Sequence, residues 1–409
     1  MRIGVFFGET NPEVGGGFTF QDDLLKALLR QVINAPQHDF FVIGTSSNLD
    51  NYLSSQQLPS NLSFLLLNNP TILERVSGWL RRGFLILTQI LKVLGPLEKL
   101  AKKNRLDLVW FISGGCFEVL DTPYIATVWD LQHRLQPWFP EMSVNGEWAA
   151  RETQHRHFLS RASYVIVGTE SGRDEVELFY QIPKFRICKL PHPTPNFALE
   201  GVFDIELDVN KKYSIPKNFI LYPAQFWPHK NHVNLLYAIK IIQEKHGLEL
   251  PLVLVGSDKG NAKYVAQVAK ELGLLKQLHV LGFVPQADLY SLYKSASMLA
   301  YVSLCGPENL PPLEAFAVGC PVLASEVSGS REQLGSAVLS CNPKNSQDIA
   351  DKIYQLYFDD DLRQKLINKG YIRAASWTSD DFIKSIFKIA DEFSVIRRNW
   401  QSNIKQEKR

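Results

Sequence analysis

The sequence predicts an α/β protein built from two parallel-sheet domains. Three observations lead there. Short apolar runs suited to buried strands alternate with amphipathic, helix-period stretches along nearly the whole chain. At 409 residues the chain is too long for one ordinary core. Between Glu200 and Ser214 it turns polar and irregular, which places a boundary there. The expected division is residues 1–205, residues 206–380, and a closing helix in 381–409 that crosses back over the first domain.

A hydrophobic fraction of 45% with 21% charged residues fits a soluble globular protein. The net charge of +2 argues against a nucleic-acid partner. Five scattered cysteines (Cys116, Cys188, Cys305, Cys320, Cys341) with no Cys-x-x-Cys suit free thiols in a reducing compartment. The first strand starts at once, with no signal peptide before it. The most apolar window, Phe84 to Leu94, is too short to span a bilayer and contains Lys92. A cytoplasmic protein is expected, with peripheral contact at the inner face of a membrane as an option.

In chain order, Ile3 to Phe7 reads as a buried strand, followed by Gly15-Gly16-Gly17 and a helix from about Phe18 to Gln31. Strand, glycine loop and helix let backbone N–H groups approach a phosphate, although three glycines equally make a loose turn. Phe40 to Ile43 and Ser63 to Leu67 are further strands. From Ile72 to Arg105, apolar positions (Trp79, Leu80, Phe84, Leu85, Ile86, Leu91) mix with Arg81, Arg82, Lys92, Lys99, Lys102 and Lys103. Such a helix either packs on the sheet with its lysines solvated or lies on an anionic membrane surface.

Leu106 to Ile112 and Tyr124 to Val128 are strands, and the second runs into Trp129-Asp130-Leu131-Gln132-His133. Polar residues at the C-terminal end of a parallel strand face the ligand crevice. Glu147 to Arg161 is a helix whose His155 and His157 face apart, which disfavours a metal pair. Ala162 to Val167 returns to strand, Thr169-Glu170-Ser171 caps a helix, and Ile187 to Leu190 is a strand ended by the rigid Pro191-His192-Pro193-Thr194-Pro195.

The second domain opens with the strand Phe219 to Pro223 and the loop Ala224 to Asn231, again where a ligand should sit. His229 and His232 have metal-pair spacing but no carboxylate or cysteine completes them. A helix at Asn231 to Lys245 and strands at Leu252 to Gly256 and His279 to Val284 follow, with helices at Tyr264 to Leu272 and Leu289 to Ser295. Met298 to Val302 leads to a tight turn ending near Pro311. Pro311 and Pro312 open a helix that places Glu314 in its first turn, Gly319 stops it, and Pro321 to Ala324 is a buried strand. A polar turn feeding a helix N-terminus suits a phosphate, and the bland alternative is a capped helix that only packs. Asp348 to Gln355, Asp361 to Ala375 and Phe382 to Asn399 close the chain as helices.

Leu310-Pro311-Pro312-Leu313-Glu314-Ala315 with Gly319-Cys320-Pro321-Val322 resembles the donor-site signature of retaining glycosyltransferases of family 4, the group 1 type. The resemblance implies the GT-B fold: two Rossmann-like domains facing a central cleft. It implies a nucleotide-diphosphate sugar as donor substrate, no cofactor, no metal, and a glycan or lipid-linked acceptor bound by the first domain. The transferred group would be a hexose, with mannosyl slightly favoured. Lys230 aligns with a lysine that grips the diphosphate, while Gln225 replaces the partner arginine. Gly16 and Gly17 would face the diphosphate, as would the amides near Asn309 and Leu310, and Glu314 would hold ribose hydroxyls. His133, Asp130 and Lys230 are assigned to catalysis, and Gln225 to donor binding.

The chain departs from the pattern in three places. Gly306 stands where the family has its first Glu, with Glu308 two places out of register. Trp129 stands where the family has the histidine beside the anomeric centre. His133, four residues on, either supplies the missing group or binds a neighbouring carbonyl. These departures motivate an alternative, a silent nucleotide-sugar-binding relative with a regulatory or scaffold role.

Overall fold

The computed structural model describes residues 1–8, 15–45, 49, 58–67, 94–115, 118–201 and 208–400. Within them lie two wholly parallel sheets. The first comprises β1 (Arg2–Phe6), β2 (Asp39–Gly44), β3 (Leu62–Leu66), β4 (Leu108–Phe111), β5 (Tyr124–Thr127), β6 (Tyr164–Val167) and β7 (Ile187–Lys189). The second comprises β8 (Ile220–Pro223), β9 (Leu252–Val255), β10 (Leu278–Gly282), β11 (Met298–Tyr301), β12 (Val322–Ser325) and β13 (Leu339–Cys341). Their strand orders are β3-β2-β1-β4-β5-β6-β7 and β10-β9-β8-β11-β12-β13.

Parallel sheets are covered on both faces, and their strands are correspondingly apolar throughout. In β1 the side-chain alternation sends Ile3 and Val5 into one core and Phe6 into the opposite one. Helix Gly16–Gln31 covers the first of these with Leu24, Leu25 and Leu28, none of which is exposed. The second sheet has its own core, with Tyr222, Leu254 and Leu299 at its centre.

In each sheet the strand order reverses at one point: β1 beside β4 in the first, β8 beside β11 in the second. Chain leaving neighbouring strands there turns to opposite faces and opens a crevice at the C-terminal edge. The last helix, Ser379–Arg397, starts with a reciprocal Thr378–Asp381 capping box. It packs on the first lobe: Phe382 meets Phe20 edge-on at 5.8 Å and Phe387 meets Phe40 at 5.2 Å.

Two differences from the sequence reading have physical causes. Strand β13 is only Leu339–Cys341, too short and too weakly patterned to signal itself. Helix Leu310–Val318 starts at Leu310, so Glu314 falls just beyond the first turn. Of the basic stretch from Ile72 to Arg105, residues 72–93 lie outside the described residues, as do Cys116 and 401–409. The described remainder holds helix Pro96–Lys103, which buries Leu97 and Ala101 against the first lobe. No helix among the described residues is long and apolar enough to cross a membrane.

Candidate active site

The two C-terminal edges face one another across a cavity of about 620 Å³, within the usual size range of small-molecule sites. Each wall comes from loops that leave the C-terminal ends of the strands. The first lobe gives Gly15 to Phe20 after β1, Trp129 and Asp130 after β5, and His192 after β7. The second gives Gln225 to Lys230 after β8 and Gly306 to Glu314 after β11.

Gly16, Gly17, Asp130, Gln225, Lys230, Asn309, Leu310 and Glu314 therefore line one space. Gly15, at φ +81, starts the glycine turn in a conformation that favours glycine. A Cβ on Gly16 would sit 3.3 Å from Leu310 Cδ1, so the lobes approach backbone to side chain at this point. Across the same gap, Gln225 Nε2 lies 3.9 Å from where a Gly15 Cβ would be. Gln225 donates to Ser257 Oγ at 3.3 Å and accepts from Trp227 Nε1 at 3.0 Å.

Among the described residues, Lys230 is the only lysine or arginine lining the cleft. Its ammonium donates to Tyr301 Oη at 3.0 Å and to Asn309 Oδ1 at 3.4 Å. Tyr301 Oη also donates to Asn309 Oδ1 at 2.9 Å. Neither partner carries a charge, so the cation keeps its full field for an anion. Among the described residues, no second lysine or arginine takes the place of the arginine that Gln225 replaces.

The helix N-terminus beside Lys230 offers fewer amides than its position suggests. The Asn309 amide donates to Gln333 Oε1 at 2.9 Å, and Pro311 and Pro312 have no N–H. That leaves the Leu310 amide at the tip, with the helix dipole behind it. Glu314 lies deeper, 6% exposed, and accepts from Tyr293 Oη at 2.6 Å. Burial pushes its carboxyl up to about 7 despite that bond.

Asp130 lines the cleft with Oδ1 already engaged by Arg151 at 3.0 Å and the Gln132 amide at 2.9 Å. Burial raises its carboxyl, but Arg151 and that amide outweigh burial and hold it below the usual carboxylate range. Asp130 is thus a fixed anion on the wall.

The expectation for His133 is corrected. The short helix Gln132–Leu135 turns its ring away from the cleft into the first lobe, where it is wholly buried. Its Nε2 lies 3.4 Å from Glu152 Oε2 and 3.3 Å from Tyr180 Oη. Glu152 also binds Arg134 and Arg156. Burial, aided by the Arg151 charge, lowers the imidazole to about 4, so it is neutral at ordinary pH. His133 is a core residue of this lobe.

Trp129 occupies the wall itself, beside Gly114, where a Cβ would fall 2.8 Å from the indole Cδ2. Its Nε1 is buried without a partner among the described residues. Gly306 has φ +112, a conformation L side chains rarely adopt, so a glutamate at this position is incompatible with the loop as folded. Glu308 instead reaches across to the first lobe and accepts the His192 amide at 2.7 Å.

Other carboxylates also bridge the lobes. Glu332 accepts from the amides of Glu170 (2.6 Å) and Ser171 (3.1 Å) at the start of helix Glu170–Tyr180, and Glu141 binds the His229 amide at 3.1 Å. The sequence carried no signal for these pairings. Among the described residues, no group of three or more histidines, cysteines, aspartates or glutamates is placed to hold a metal ion.

Comparison with known proteins agrees with this geometry. Residues 206–373 match the family described as glycosyl transferases group 1. The chain is 26% identical over 221 residues to the O-antigen chain mannosyltransferase B of Escherichia coli, which covers 54% of this chain and 58% of that protein. It is 29% identical over 230 residues to the E. coli serotype-specific mannosyltransferase WbdA, covering 54% of this chain and 28% of that one. The chain thus spans little more than half the length of the first relative and about a quarter of the second. Among solved structures, Anabaena Alr3699/HepE in complex with UDP and glucose superposes with a TM-score of 0.64 at 16% identity, covering 97% of this chain and 100% of that one. That likeness is one of fold, and the two facing sheets are the GT-B architecture.

Proposed function

We propose that this chain, whose residues 206–373 match the group 1 glycosyl transferases, moves a hexose from a nucleotide-diphosphate sugar to a glycan or lipid-linked acceptor. The observation that carries this reading is the convergence of Lys230, the Leu310 amide and the Gly16–Gly17 turn on one cleft between two lobes. A mannosyl donor is favoured, because the E. coli relatives above are mannosyltransferases.

The bond that breaks joins the anomeric carbon to the diphosphate oxygen, and negative charge grows on the diphosphate. Fixed positive groups aimed at that charge are usually the largest catalytic term. Lys230 and the Leu310 amide supply them from one wall, and the glycine turn closes from the other. Glu314 accepts from ribose hydroxyls and orients the nucleotide. The acceptor hydroxyl attacks from the face the diphosphate leaves and gives its proton to a departing phosphate oxygen, which retains configuration without a carboxylate nucleophile. Asp130 lies along that face and steadies the positive charge developing at the anomeric centre. Closure of the lobes excludes water.

No cofactor enters this scheme, and the protein's own cation does the work a divalent metal does elsewhere. The test is a panel of nucleotide-diphosphate sugars, scored for binding and for slow donor hydrolysis with and without a chelator. Chelator-resistant hydrolysis of one donor is expected. Tight binding with no turnover across the panel would instead favour the silent, regulatory relative.

A further inference from the structure

His192 lines the cleft, and the scheme above gives it no role. It sits in the rigid segment Pro191-His192-Pro193 at the end of β7. Its ring lies 4.7 Å from the Phe20 ring and 6.3 Å, edge-on, from Trp129, so two aromatic walls hold it. Its backbone is held from the opposite lobe, because Glu308 Oε1 accepts the His192 amide at 2.7 Å. Glu308 Oε2 lies 3.8 Å from His192 Nε2, an ion-pair distance too long for a direct hydrogen bond. The carboxylate reaches there only because position 168 is glycine: a Cβ on Gly168 would fall 1.3 Å from Glu308 Oε2. The pair joins the two lobes as they stand here.

We propose that His192, oriented by Glu308, contacts the sugar being transferred, in the place that Trp129 and Gly306 leave without an imidazole or a carboxylate. The assignment rests on the donor reading of the cleft. Three observations support it. His192 lines the same cavity as Lys230 and Leu310. It adjoins Trp129, whose buried indole N–H has no hydrogen-bond partner among the described residues. The other imidazole on the wall, His229, is already held through Nδ1 by Glu141 at 2.5 Å. An imidazole beside the anomeric end can donate to or accept from sugar hydroxyls, where Trp129 can only donate.

The test uses His192→Ala and His192→Gln in the full chain. Affinity is measured for a nucleoside diphosphate and for its sugar, together with the rate of donor hydrolysis. Both variants should bind the plain diphosphate like wild type, which also shows that they fold. Both should lose about ten- to a hundredfold in sugar-dependent affinity or hydrolysis. Unchanged sugar binding and hydrolysis in both variants would overturn the assignment. So would an equal loss for diphosphate and diphosphate sugar, because the ring would then serve the lobe and not the sugar. If wild type binds no nucleoside diphosphate at all, the donor reading fails and this assignment with it.

Discussion

The Tyr293 hydroxyl donates to Glu314 Oε2 at 2.6 Å inside the second lobe, with the phenol wholly buried. One donor does not offset the loss of water around a carboxylate, and burial holds Glu314 up to about 7. The ionised form is the stronger acceptor for ribose hydroxyls.

Nucleotide affinity should therefore rise between about pH 6 and 8 as Glu314 ionises. Calorimetric titration of a nucleotide-diphosphate sugar, whose diester phosphates do not titrate in that range, checks it, with Glu314→Gln as the flat control. Tyr293→Phe should move the midpoint to higher pH, because the one donor to the carboxylate is gone.

The same group leaves a mark on stability. The unfolded chain releases this proton near the ordinary value of 4.5, and the folded chain holds it to about 7. Its stabilisation is full below the first value and lost as pH rises through the second. Glu314→Gln should lose less stability than wild type between about pH 5 and 8, by roughly 2 kcal/mol. Urea denaturation at the two ends of the range measures the difference.

His133→Ala should act on folding and not on ligand. The ring is packed against Glu152 and Tyr180, so its loss should cost about 1–3 kcal/mol, with nucleoside diphosphate affinity unchanged. A drop in affinity with unchanged denaturation would return His133 to the cleft.

Gly168→Ala should loosen the lobes. The new methyl group occupies the place of Glu308 Oε2, so the carboxylate must leave and the His192 amide loses its partner. A loss of about 1–3 kcal/mol in thermal stability is expected. The radius of gyration in X-ray scattering should increase, and more so with Glu332→Ala, which removes the carboxylate capping helix Glu170–Tyr180.

What the sequence disclosed and what it concealed follow from one distinction. A strand and the loop that leaves it are consecutive, so Lys230 after β8 and Glu314 after β11 could be placed by pattern and resemblance. Where a side chain points after a further turn is not encoded in spacing. His133 lies only four residues beyond Trp129, yet the intervening helical turn aims it at Glu152, a partner on another helix. Glu308 stands two places from the family's register, and in space it reaches the other lobe. His192 was legible only as part of a proline-rich breaker, because its neighbours Phe20, Trp129 and Glu308 come from three distant segments. Strand β13 was too short to carry a period. The scarcity of amides at Leu310 could have been read from Pro311-Pro312, but the capture of the Asn309 amide by Gln333 could not.

The central claim is that a diphosphate is held between the lobes by Lys230. Titration of a nucleoside diphosphate onto wild type and Lys230→Ala tests it most directly. The variant should bind about 1.5–3 kcal/mol more weakly, the range for hydrogen bonds to a charged group, with its fold intact by circular dichroism. Equal affinity in the two proteins would contradict the account.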